Sequence, residues 1–167
     1  MRKAIWLVML GACGDDHMEG DAMTEHVGEA AAHVEDMRTA IEAHGAAIDA
    51  AADLAAVLEE EARHAEEAGG HHAEIEHETE EMAECEDDGG MHPDMAEMSG
   101  MADACGAELA AHEKVMAAAA DLDAAEAEEA RHQAAMADML GEMATMSDGM
   151  MDMAGSFSCE MHEDMHE

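Results

Sequence analysis

Two histidines and two Glu-x-x-His motifs recur along this chain at a fixed offset of 68 residues. His44 pairs with His112, and Glu61-x-x-His64 pairs with Glu129-x-x-His132. A carboxylate and an imidazole three residues apart share one helical face, where both can reach a single ion. With 43 acidic residues and 13 His, the same spacing also arises by chance. A heptad register carried through from upstream turns His64 outward, so Glu61/His64 and Glu129/His132 read first as solvated surface pairs. His44 and His112 differ, because the same register places both inside. With them on shared faces lie His33 and Met37 in the first copy, and Met101 and Cys105 in the second. Imidazole, thioether and thiolate together suit Cu(I), or Zn(II) where Cys105 dominates. The plain alternative is a buried His hydrogen-bonded across a helix bundle.

A third set is the stripe Met136, Met139, Met143, Met146, Met150 and Met153, continued by Met161 and Met165. Spacings of three and four form an apolar helical edge, which reads as core. The pairs Met161-His162 and Met165-His166 are similar in style to periplasmic copper-handling proteins. The two Glu-x-x-His motifs resemble the ferritin-like di-iron sites, in which each of two further helices adds a Glu. That resemblance implies iron and oxidative chemistry. It asks for carboxylates such as Glu74 and Glu142, and the second of these falls next to an expected turn at Gly141.

These residues must be positioned by helices. The chain has 49% hydrophobic residues but only 1% aromatic, one Pro and 20 Met. Ala, Glu and Met favour helix, and β-branched residues are scarce. The segment AAADLAAVLEEEARH at 50–64 returns as AAADLDAAEAEEARH at 118–132. Repetition at a fixed period marks a tandem structural unit. The expected fold is all-α, an antiparallel bundle of two tandem αα repeats of about 68 residues each; one very long helical hairpin is the alternative. Val27, Val34, Ile41 and Ile48 repeat every seven residues, with Met23, Ala30, Met37, His44, Ala51 and Leu58 as the partner row. This seam predicts one helix from Asp21 to about Ala68, with turns at Gly69-Gly70 and Gly141 and a boundary at 87–93. The helical repeats then span 21–92 and 93–154, followed by a fraying Met/His tail at 155–167.

The N-terminus carries a different signal. Arg2 and Lys3 precede a short apolar run, and Leu10-Gly11-Ala12-Cys13 resembles the lipobox of bacterial lipoproteins. The resemblance implies a signal peptide at 1–12, a lipid on Cys13, a tether at 13–20, and a place in the cell envelope. Gly14 after the Cys leans towards the outer membrane. In that oxidising setting Cys85 and Cys105 can pair, leaving Cys159 over.

A net charge of -37 excludes nucleic acid and anionic lipid surfaces as partners and concentrates cations. It also suits high salt. No nucleophile motif, haem attachment or phosphate loop is present, so no catalytic residue is expected. The expectation is a lipid-anchored envelope protein that binds or buffers transition metal ions, copper ahead of zinc and iron, with self-association as a further expectation. The alternatives are a passive acidic spacer without metal and, third, a di-iron oxidoreductase.

Overall fold

The computed structural model describes residues 18–84 and 93–153, and within them every regular element is helical. The elements are α1 (Met18–Asp49), α2 (Leu54–Glu84), α3 (Pro93–Met116) and α4 (Leu122–Met153). α1 lies against α2 and α4, α3 lies against the same two, and α2 and α4 also touch across the bundle. The result is an antiparallel four-helix bundle. The expected signal peptide, Cys13, Cys85, the boundary at 87–92, Cys159 and the tail lie outside the described residues.

The turns are not where the glycines suggested. Gly69 and Gly70 run through the middle of α2 and Gly141 through α4, all without a break. The chain instead reverses at 50–53 and again at 117–121, at the head of each copy of the duplicated segment. Asp53 Oδ1 accepts the Ala56 N–H at 3.0 Å, and Asp121 Oδ1 accepts the Ala124 N–H at the same distance. An Asp cap that satisfies an orphan first-turn donor outweighs the helix propensity of the Ala run before it. α1 begins at Met18, three residues before the expected start at Asp21. Pro93 opens α3, where its missing N–H costs nothing.

The seam holds up to the first turn and fails beyond it. Met23, Val27, Ala30, Val34, Met37, Ile41, His44 and Ile48 are all buried. Past the turn Leu58 is 42% exposed, because α2 starts a new register through Val57, Glu61, His64, Ala68, Ile75 and Met82. The Met stripe of α4 is core as read, with Met136, Met143 and Met150 buried and Met139 and Met146 packed against them. Two apolar clusters result. A long one runs from Met23 and Met150 to Ile41 and Met136. A short one, Ile48, Val57, Met116 and Ala125, closes the end that carries both turns. Between them in sequence, on all four helices, sits a layer that is not apolar.

Candidate metal centre

The new register of α2, repeated in α4, turns both Glu-x-x-His motifs inward. Glu61, His64, Glu129 and His132 are buried together with His44 and His112. The surface reading of the two motifs is therefore corrected: the turns at 50–53 and 117–121 reset the phase that had pointed them outward. The two groups read apart in sequence form one six-residue layer, with His44 and His112 supplied by α1 and α3.

Its inner atoms lie close together. His44 Nε2 is 3.3 Å from Glu61 Oε2 and 3.1 Å from Glu129 Oε2. His112 Nε2 is 3.3 and 3.4 Å from the same two oxygens. None of these contacts has hydrogen-bond alignment, and all four atoms are buried without a hydrogen-bond partner. Both nitrogens of His64, Nε2 of His132 and the second oxygen of Glu129 are in the same condition. His64 stacks on His44 and His132 on His112, each pair with ring centroids 3.9 Å apart. Donor atoms of His44, His64 and His112 all fall within 4.8 Å of one another.

Around this core stand orienting carboxylates. Glu60 Oε1 lies 3.4 Å from His44 Nδ1, and Glu128 Oε1 lies 3.4 Å from His112 Nδ1. Glu108 Oε1 lies 3.0 Å from His132 Nδ1. Arg63 braces Glu60, while Arg131 braces both Glu128 and Glu108. A carboxylate on the outer nitrogen fixes which imidazole nitrogen faces inward. Position 40, the counterpart of Glu108, is an Ala, so His64 has no such carboxylate.

The electrostatics follow from this packing. Burial pulls the His44 pKa down, but contacts with Glu129 and Glu61 outweigh it and hold the group at about 9. His112 is raised by the same balance of burial against Glu61 and Glu129. His64 goes the other way, to about 4, through burial and the charge of His44. His132 is also lowered, chiefly by burial. Burial opposes ionisation of Glu61, yet the imidazoles of His112 and His44 hold it down at about 2.

A cavity opens onto the layer from the flank between α2 and α3. It has a volume of about 430 Å³, is lined by Glu61, His64 and His112 and has Glu76, Asp103 and Glu113 in its walls. Its wall is shaped by His72, whose imidazole lies over Gly106 where a larger residue would collide, and whose Nε2 donates to Ala102 O at 2.8 Å. On the α1/α4 flank the Gln133 amide lies across Gly45, in space that any Cβ there would occupy. The cavity on that flank is lined by Gln133, Ala137 and Leu140 and by none of the six residues of the layer.

The other candidate ligands stand apart from this layer. Met37 and Cys105 are buried in the long apolar cluster, and Met101 packs against it. Cys105 is a free thiol that donates to Met143 Sδ at 3.8 Å. His33 lies farther along α1 with Asp36 and His71. Glu74 and Glu142 are exposed, so neither supplies the extra carboxylate that ferritin-like sites carry. The inward role of His64 and His132 was open to view in the repeated AAADL, whose Asp is a good cap. No family model, curated protein or solved structure matches the chain. Among the described residues, no helix is long and apolar enough to cross a membrane.

Proposed function

We propose that the layer binds a divalent transition metal ion, held by His44, His112, Glu61 and Glu129 with His64 and His132 at its edge. One observation carries this reading. A tetrahedral ion with bonds of about 2.0–2.1 Å requires ligand-to-ligand edges of about 3.3–3.4 Å. The four His–Glu edges, of the six in such a set, are 3.1, 3.3, 3.3 and 3.4 Å. Imidazole and carboxylate donors suit Zn(II), Fe(II) and Cu(II). Cu(I) loses its favour, because the thioethers and the thiol expected beside His44 and His112 lie in the apolar core instead. An oxidising di-iron role asks for carboxylates where His44 and His112 stand. The protein is then a metal-binding or metal-buffering component, and the lipobox at Leu10–Cys13 supports an envelope location with Cys13 as the anchor.

Titration of metal-free full-length protein with Co(II), followed by its visible bands, tests the site. Intense tetrahedral bands that saturate, and that Zn(II) then abolishes, are the expected result. Absence of any band, together with substoichiometric metal in elemental analysis, overturns the proposal. A second reading has its own support: with His44 held at about 9, a proton on its imidazole offsets carboxylate charge in the layer without any ion. On that reading the layer only fixes the register of the bundle within a passive acidic spacer. The same titration separates the two. A Cys13→Ser protein that still partitions with membranes would remove the anchor.

A further inference from the structure

We infer that His33, Asp36 and His71 form a second, separate transition metal site on the α1/α2 flank. His33 and Asp36 are three residues apart on α1, so they share a helical face, and His71 reaches them from α2. One donor atom from each lies within 4.8 Å of the other two. The two imidazole centroids are 5.9 Å apart and tilted by 42°. His33 Nδ1 is buried and has no hydrogen-bond partner. A buried ring nitrogen without a partner is costly, and an ion shared with His71 and Asp36 removes that cost.

Two neighbouring facts set this cluster apart. The other group along the same seam is His26, Glu29 and Glu78. There His26 Nδ1 is already bonded to Glu78 Oε2 at 2.8 Å, so that ring nitrogen has a partner without an ion. In the second repeat the positions of His33, Asp36 and His71 are taken by Met101, Ala104 and Met139. The site therefore occurs once among the described residues. His33 and His44 are eleven residues apart on α1, about 16 Å along the helix axis, so the two sites share no ligand.

Two imidazoles and one carboxylate, with Asp36 exposed to solvent, leave open coordination positions for water. The ligand class is a divalent ion of the zinc, cobalt or nickel type, exchangeable with bulk. The inference does not rest on the central layer. Co(II) binding to the full chain is compared between wild type, the double variant His33→Met/His71→Met, and Asp36→Asn. The double variant installs the residues that the second repeat already carries there, and circular dichroism monitors its helicity. The expected result is one Co(II) equivalent fewer for the double variant, and for Asp36→Asn a weakening of one equivalent by about tenfold or more. Unchanged stoichiometry in the double variant overturns the site. Should that variant lose its helicity, unchanged affinities in the surface variant Asp36→Asn overturn it instead. If the central layer binds nothing, wild type binds one equivalent and the double variant none, which separates the two readings.

Discussion

The two halves of the bundle agree at the centre and disagree away from it. His44, Glu60, Glu61, Arg63 and His64 have identical counterparts at His112, Glu128, Glu129, Arg131 and His132. Outside that block, His33, His71, His72 and Glu78 of the first half correspond to Met101, Met139, Leu140 and Met146 of the second. The first half thus lines its flank with groups that need partners, while the second fills the same places with apolar side chains. An apolar position tolerates change as long as volume is kept. A buried imidazole facing a buried carboxylate does not, since losing either leaves the other unpaired. The difference teaches that the paired layer is what the two halves must share.

The largest effect should come from breaking that shared layer in one half at a time. His44→Leu leaves Glu61 and Glu129 without one of their two facing imidazoles, and His112→Leu does the same from the other side. Each should cost about 3–5 kcal/mol in the metal-free protein. Urea unfolding of both variants checks the size and the symmetry together. A loss in one half only would show that the halves do not contribute equally.

The next effect is a pH dependence that the layer alone should produce. His44, with a folded pKa of about 9 against the ordinary 6.5, contributes stability that is fully present below pH 6.5. That contribution is lost as pH rises through about 9, and His112, also raised, acts in the same sense. Melting temperatures of the metal-free protein at constant ionic strength should fall from pH 6.5 to 9. The metal-loaded protein should show a flat profile, because ligated imidazoles have no proton to lose. Identical slopes with and without metal would contradict the central proposal.

A smaller, kinetic effect should follow from the cavity between α2 and α3. Gln133 lies across Gly45 on the α1/α4 flank, whereas the counterparts of these residues beside the open cavity are Ala65 and Glu113. The double change Ala65→Gln/Glu113→Gly carries the closed arrangement to the open side. Stopped-flow metal uptake should slow several-fold, with the same amount bound at equilibrium. An unchanged rate would mean that ions enter elsewhere, and the asymmetry between the flanks would lose its meaning.

The helical class could be read from the Ala, Glu and Met content, and the pairing of halves from one repeated segment. The position of the turns could not, because two ordinary rules competed. Ala50, Ala51 and Ala52 are strong helix formers and Gly69-Gly70 is a usual stop. The cap made by Asp53 won over both, and the two glycines remain exposed within α2. From that one displaced turn came the outward placement of His64, since phase errors persist along a helix. The inward placement of His44 survived because it lies before the turn.

The smallest effect tests this account of the seam directly. Ile48 and Leu58 fall on the two rows of a single heptad pattern, yet they lie on either side of the turn. Ile48 is buried in the short apolar cluster, while Leu58 is 42% exposed. Ile48→Ala should therefore cost about 2–5 kcal/mol through the cavity it leaves. Leu58→Ala should stay within about 0.5 kcal/mol, since it removes a half-solvated side chain from a helix that favours Ala. Equal losses at both positions would mean that α1 and α2 are one continuous helix with one seam. In that case His64 and His132 would turn back to solvent, and the two halves would no longer meet in a common layer.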